Sequence, residues 1–232
     1  MSPSISIVFP MYNEEEHIQR AIDAARAALR ELTEDHEIIV VNDASTDRTG
    51  ALANELARAD ARIKVVHNAR NRGLGGSLRE GYAVASKELV LYTDADLPFD
   101  LMELPRAVRL LEWQQADVLS AYRFDRTSEG LRRTLYTLAY SGLVRTLFAL
   151  RLRDVNFAFK LFRRTLLARV RLESEGSFID AEFLLRSRKA GASIIQIGVD
   201  YFPRSRGAST LSSPGVIVGI LRDMLRLRAQ LR

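Results

Sequence analysis

The stretch Leu89-Val90-Leu91-Tyr92-Thr93-Asp94-Ala95-Asp96-Leu97-Pro98 is an apolar run that ends on two carboxylates and a proline. Its apolar part has no polar alternation, the mark of a strand buried on both faces. Working outward, similar runs occur at Ile5–Phe9, Glu37–Val41, Ile63–Val66 and Asp117–Ser120. Helical spacing lies between them. Residues 14–31 place Ile18, Ala21, Ile22, Ala25 and Leu29 on one face. Asp47 can cap a helix carrying Leu52, Leu56 and Ala57, and another helix is expected from about Gly75 to Ala85. This alternation predicts an α/β fold: a mostly parallel, twisted sheet with helices on both faces. Such sheets bind ligands at the carboxyl ends of their strands.

Past residue 125 the pattern changes. A long helix is expected over about 129–150, a strand near 157–162 and a helix over about 180–190. A strand near 193–202 and a basic helix from about 214 complete the chain. There is no internal repeat or low-complexity linker.

Of 232 residues, 47% are hydrophobic, enough for a sizeable core and against wholesale disorder. The absence of cysteine excludes disulfides, thiolate metal sites and a cysteine nucleophile. It is compatible with a cytoplasmic location. The formal net charge of +5 suits phosphate-bearing partners: nucleotides, nucleic acid or an anionic membrane surface. The basic residues form no dense block with interleaved aromatics, so nucleic acid is not expected. Met1-Ser2-Pro3-Ser4-Ile5 lacks a signal-peptide pattern, and no run reaches the roughly 18 apolar residues of a spanning helix. A soluble or peripheral protein is expected.

The strand ends carry the chemistry. Asp94 and Asp96 are oxygen ligands of the kind that hard divalent cations take together with substrate phosphates. An isolated pair of this spacing also reads as solvated loop aspartates. Pro10-Met11-Tyr12-Asn13-Glu14-Glu15 follows the first strand. There Glu14 can start a helix, or Tyr12 can lie against a flat base with a carboxylate near ribose hydroxyls. Asn42-Asp43-Ala44-Ser45-Thr46-Asp47 follows the second. Asp43 can accept from a uracil or guanine edge, or simply sit in a turn. Asn71-Arg72-Gly73-Leu74-Gly75-Gly76-Ser77 opens a helix after the third, where glycines let backbone amides approach a ligand. That segment lacks Gly-Lys-Ser/Thr and does not fit G-x-G-x-x-G, which disfavours a P-loop protein and a dinucleotide oxidoreductase.

Four segments in register carry a resemblance: Val8–Glu14, Val41–Asp47, Asn71–Gly75 and Asp94–Leu97. Over about 5–210 the chain resembles family 2 glycosyltransferases with the GT-A fold, and more narrowly their polyprenyl-phosphate branch, the dolichyl-phosphate mannose synthases and bacterial relatives using undecaprenyl phosphate. The resemblance implies a nucleotide-sugar half (1–122, Rossmann-like) and an acceptor half (123–212) of one domain, followed by a basic amphipathic helix over 213–232. It implies a nucleoside pocket from Pro10, Tyr12, Asn13, Glu14 and Asp43, with Gly75 and Ala95 beside the donor. Asp94 and Asp96 would hold Mg²⁺ or Mn²⁺ under the donor diphosphate, Asp96 being the catalytic member. Pro98 stands where many relatives carry a polar residue.

On the acceptor side, Ser120-Ala121-Tyr122-Arg123-Phe124 is similar to the family's Ser-Arg-Tyr segment. Arg123, Arg132 and Arg133, with Thr137 a turn on, would receive a lipid phosphate; a guanidinium fork matches phosphate oxygens. A solvated basic turn is the alternative for Arg132 and Arg133. Lys160, in Asp154-Val155-Asn156-Phe157-Ala158-Phe159-Lys160, could reach that phosphate or merely flank a strand. Asp180 and Glu182 would serve as base if the acceptor were a hydroxyl; a helix cap and first-turn acid explain them equally. Arg204 and Arg206, in Arg204-Ser205-Arg206-Gly207-Ala208-Ser209-Thr210, resemble a loop closing over the diphosphate, with Thr210 in place of the usual Lys.

Between Arg133 and Arg145 one narrow polar stripe runs along a helix otherwise filled by Leu135, Tyr136, Leu138, Tyr140, Leu143, Val144, Leu147 and Phe148. So wide an apolar surface is buried in protein or inserted in a membrane interface, and the resemblance favours the membrane. In the last helix Ile217, Ile220, Leu221, Met224, Leu227 and Leu231 are read as one face, punctuated by Arg222, Arg226, Arg228 and Arg232. That face can lie on anionic lipid or pair two copies as a homodimer. The expected protein is an inverting hexosyltransferase, moving sugar from a GDP-mannose or UDP-glucose type donor to a polyprenyl phosphate. It would sit in the cytoplasm or peripherally on the inner face of the membrane. The alternatives are transfer to a sugar or small-molecule hydroxyl, and a non-catalytic nucleotide-sugar binding protein.

Overall fold

A computed structural model describes residues 3–124, 140, 142–202 and 214–231. Its centre is one seven-stranded sheet in the order β3-β2-β1-β4-β6-β5-β7. The strands are β1 (Ile5–Met11), β2 (His36–Asn42), β3 (Ile63–His67), β4 (Leu89–Thr93), β5 (Val118–Arg123), β6 (Phe159–Arg163) and β7 (Ile194–Val199). β1 pairs in parallel with β2 and β4, β2 with β3, and β5 with β7. Among the described residues only β6 runs against its neighbours, wedged between β4 and β5. The sheet is mostly parallel, as expected, and the antiparallel exception arises because the chain returns through the middle of the sheet after β5.

Helices cover both faces. α1 (Ile18–Arg30), α2 (Thr49–Ala59) and α4 (Leu104–Trp113) pack on one. α3 (Gly73–Val84), α5 (142–148), α6 (Ile179–Lys189) and α7 (Pro214–Leu231) pack on the other. α1 buries Ile18, Ala21, Ile22, Ala25, Ala28 and Leu29, the spacing that marks an amphipathic helix. β1, β2 and β4 carry apolar residues toward both helix layers. Ile7, Phe9 and Leu91 face α1 and α4, while Val8, Val90 and Tyr92 face α3 and α6.

Two expectations about apolar helices change here. In α5, Val144 and Phe148 are buried in the second helix layer, while Arg145 is exposed. This part of the expected membrane helix therefore faces protein; residues 129–139 and 141 lie outside the described residues. In α7, Met224, Leu227 and Leu231 are buried, but Leu221 stands outside with Val218 and Leu225. The helix has two apolar faces instead of one. Among the described residues no helix is long and apolar enough to cross a membrane.

Candidate active site

The tip of β4 is a turn built to present two acids. Ala95, Leu97 and Phe99 are buried beneath it, while Asp94, Asp96 and Pro98 alternate onto the half-open side. Leu97 takes a left-handed conformation at φ 49°, and its N–H points back to the Asp94 carbonyl at 3.3 Å. A branched apolar residue in that region is uncommon and costs on the order of 1 kcal/mol. Burial of its side chain holds it there. The buried Tyr92 hydroxyl donates to Asp94 Oδ1 at 3.2 Å. Burial, with the charges of Asp180 and Asp94, keeps that phenol far above its ordinary pKa, so it remains a donor. Phe202 N–H bonds the Pro98 carbonyl at 2.9 Å, tying the turn to the chain after β7.

The tips of β1 and β2 are laced together. Asp43 N–H donates to the Met11 carbonyl at 2.9 Å. Asn13 N–H reaches Ser45 Oγ at 3.0 Å, and Asn13 Oδ1 accepts from Thr46 N–H at 2.8 Å. Glu14 N–H donates to Thr49 Oγ1, Glu15 N–H to Asp47 Oδ2, and Arg48 N–H to Glu15 Oε2. Asp47 also accepts from Thr49 N–H at 2.9 Å, the capping role expected of it. Burial pushes its carboxyl up, but these hydrogen bonds outweigh burial and hold it below the usual range. Asn13 and Ala44 sit at φ 55° and 57°, so three parallel strands end on a left-handed residue that is not glycine. Such residues persist where the surroundings fix them, commonly at functional sites.

Within this lattice Tyr12 is nearly half exposed, whereas Asp43 is buried. Asp43 Oδ1 accepts from Asn68 Nδ2 at 2.7 Å and Arg72 N–H at 2.8 Å, so the loop after β3 fixes the carboxylate. Glu14 is drawn to His17 Nδ1 at 2.7 Å, and its carbonyl closes the turn before α1. A cavity of about 580 Å³ opens beside Asp43, lined by Val66, His67, Asn68, Ala69, Arg70, Arg72 and Glu80. It shares Asn68 and Arg72 with the Asp43 cluster and does not extend to Asp94 or Asp96. The residues that form the tips therefore mark the site better than the cavity does.

The glycines of α3 have a different job from the one expected. Gly75 N–H donates to the Glu175 carbonyl at 2.7 Å, and a Cβ on Gly75 would stand 2.1 Å from the Ser174 carbonyl oxygen. The glycines admit a neighbouring backbone where a ligand was expected. Glu182 explains why that backbone is there. It is fully buried and accepts from Glu173 N–H, Ser174 N–H and Arg186 Nε at 2.9, 2.8 and 2.7 Å. A carboxylate so occupied is a structural anchor, not a base facing an acceptor.

The other acceptor-side charges are likewise turned inward. Arg123 makes a bidentate pair with Asp154, Nε to Oδ2 at 2.6 Å and Nη2 to Oδ1 at 2.7 Å, with its own N–H on Oδ2 at 3.2 Å. Its guanidinium lies over Phe157 and Tyr201. Lys160, expected near a phosphate, is 1% exposed, donates to the Phe157 carbonyl at 2.5 Å and stands 3.0 Å from Asp180 Oδ1. Asp180 is 4% exposed, which does not suit a base open to an acceptor. Burial pushes its carboxyl up; Lys160 pulls it down, and Asp154 adds to the rise. Arg132, Arg133, Thr137, Arg204 and Arg206 lie outside the described residues. Asp154 was not foreseen as a partner.

A divalent cation can be tested against the β4 tip. The donors are two partly buried carboxylates on one turn, a hard-oxygen set. Among the described residues no three His, Cys, Asp or Glu side chains could hold a metal ion together. Phosphate oxygens and water would have to complete the shell, which is how Mg²⁺ is commonly held. The set fits such an ion in company with a diphosphate.

A mixed sheet in this order, with its acids at parallel strand tips, defines a GT-A glycosyltransferase fold. The chain matches glycosyl transferase family 2 over residues 6–172 and belongs to that family of enzymes. It is 30% identical over 234 residues to glycosyltransferase AglD of Haloferax volcanii, covering 98% of this chain and 36% of that protein. It is 27% identical to the dodecaprenyl-phosphate galacturonate synthase of Rhizobium johnstonii, over 75% of this chain and 52% of the relative. An undecaprenyl-phosphate 4-deoxy-4-formamido-L-arabinose transferase of Pectobacterium atrosepticum is 30% identical over 96% of this chain and 66% of its own length. The chain thus spans about one third to two thirds of these curated relatives. Among solved structures, glucosyl-3-phosphoglycerate synthase of Mycobacterium tuberculosis, in complex with Mn²⁺, UDP-glucose and phosphoglyceric acid, superposes with TM-score 0.74. That match is at 20% identity, over 98% of this chain and 80% of the other.

Proposed function

We propose that this chain transfers a hexose from a nucleoside-diphosphate sugar to a polyprenyl phosphate with inversion at the anomeric carbon. The observation that carries the reading is the β4 turn: Asp94 and Asp96 partly exposed beside the laced tips of β1 and β2. Tyr12 would stack on the base. Asp43, fixed by Asn68 and Arg72, would meet the base edge. Asp94, oriented by Tyr92, and Asp96 would hold Mg²⁺ or Mn²⁺, which when bound offsets the charge gathering on the departing diphosphate. An acceptor phosphate oxygen bonds to the anomeric carbon, and the nucleoside diphosphate leaves with the electron pair. No proton need move, because the acceptor is already an anion. Arg132, Arg133 and Thr137 would receive the acceptor phosphate. Arg204 and Arg206 would close over the donor. Arg123 is recast as a residue that acts through Asp154 and Tyr201.

The names of the Rhizobium and Pectobacterium relatives support a polyprenyl-phosphate acceptor. The burial of Asp180 and Glu182 speaks against the hydroxyl-acceptor alternative, which would need one of them as base. The reading implies a peripheral protein working at the inner face of the membrane. It is tested by incubating labelled nucleotide sugars with polyprenyl phosphate, or with hydroxyl acceptors, in the presence of Mn²⁺. Transfer to the lipid phosphate is expected, falling about a hundredfold or more in Asp96→Ala with little change in melting temperature. Undiminished turnover by Asp96→Ala, or transfer to hydroxyls alone, would refute it.

A further inference from the structure

α7 has one face in the core and a second that nothing among the described residues covers. Met224, Leu227 and Leu231 are 1%, 0% and 1% exposed. The helix is pinned to α6 through Gln230, whose side chain accepts from Arg186 and whose carbonyl accepts from Lys189, each at 2.8 Å. On the opposite side Val218, Leu221 and Leu225 recur at helical spacing and are 55%, 42% and 68% exposed. A helix anchored by one face needs no second apolar stripe for folding. Arg222 and Arg226 stand exposed along one flank of that stripe, and Arg228 lies along the other. The one acid of the helix, Asp223, is turned toward the core side, 3.2 Å from Arg226. The outward face is therefore apolar at its centre and flanked by arginines, with Asp223 set back toward the core side.

We propose that this face docks on an anionic lipid bilayer. Leucine and valine would sink into the boundary between headgroups and acyl chains, with arginine stems lying along them and guanidinium groups at the phosphates. A second copy fits less well. A two-fold contact through this stripe would bring arginine flanks together with no acid between them. The proposal deepens the lipid-acceptor reading but does not depend on it, and the test keeps the two apart.

The test measures co-sedimentation of the full chain with phosphatidylcholine vesicles that contain phosphatidylglycerol and no polyprenyl phosphate. Binding is expected, weaker on pure phosphatidylcholine and weaker at high salt. Leu221→Asp/Leu225→Asp should lower it on the order of tenfold or more, with melting temperature and nucleoside diphosphate binding unchanged. Arg222→Glu reads the electrostatic part without touching the apolar residues, and should lower binding severalfold on anionic vesicles only. The proposal is overturned if the unaltered chain ignores anionic vesicles, or if the leucine variant binds them equally. It is also overturned if sedimentation velocity finds a dimer that the leucine substitutions dissociate. Loss of vesicle binding with transfer to a water-soluble short-chain acceptor retained separates docking from catalysis.

Discussion

At the tip of β4 the acids predicted to bind ligand lie partly open at the edge of the fold, whereas the charged residues predicted along β6 and α6 lie inside it. Asp94 and Asp96 are partly exposed on a turn. Lys160, Asp180 and Glu182 are almost wholly buried and have one another, or backbone amides, as partners. The same residue types thus serve chemistry in one region and architecture in the other. What separates them is position: a charge placed after a strand can face water, while a charge within a central strand must bring its own counter-charge.

The contrast is sharpest in stability. Lys160→Met leaves Asp180 buried without its cation and should cost about 3–5 kcal/mol, while Lys160→Met/Asp180→Leu should recover most of that. Guanidinium unfolding reads both. Asp94→Asn, on the open turn, should cost under about 1 kcal/mol by the same assay. Equal losses for Lys160→Met and Asp94→Asn would erase the distinction. An intermediate effect is expected at the contact between α3 and the chain before α6. Gly75→Ala drives a methyl group into the Ser174 carbonyl and should destabilise by about 1–3 kcal/mol, read as a lowered melting temperature.

Glu37 is a buried acid at the amino end of the sheet, opposite the strand tips. Lys64 Nζ lies 2.6 Å away, and Ser6 and Ser86 donate to it at 2.7–3.0 Å. Burial raises its carboxyl, but Lys64 and the serines outweigh burial and hold it below 4.5. Its ionised form therefore stabilises the fold above that value, and the benefit fades as pH falls through the lowered one. Glu37→Gln should remove about 1–2 kcal/mol at neutral pH and flatten the acid limb of a stability–pH profile. An unchanged limb would show that Lys64 and the serines do not hold Glu37 below its ordinary value.

The strand tips were legible because their chemistry is local. An apolar run followed by Asp94-Ala-Asp96, or by Asn42-Asp43, reads as a strand and its turn without knowledge of the rest of the chain. The antiparallel insertion of β6 was not legible, since periodicity marks a strand but not its neighbours. Nor were Arg123–Asp154 and the hold of Glu182 on Ser174, which join separated segments. Lys160 did carry a signal. A lysine inside Phe159-Lys160-Leu161-Phe162 sits where a buried strand is expected, and such a lysine needs an acid. The left-handed Ala44 and Leu97 carried none, because neither residue type favours that conformation.

In the proposed function the β4 turn binds a divalent cation jointly with a nucleoside diphosphate. Calorimetric titration of UDP and GDP into the chain, with and without Mn²⁺, tests it most directly, in parallel with Asp94→Ala/Asp96→Ala. Mn²⁺ should tighten binding of one nucleotide on the order of tenfold or more, and the double substitution should abolish the gain. Identical affinity with and without Mn²⁺, or an undiminished Mn²⁺ effect in the variant, would contradict it.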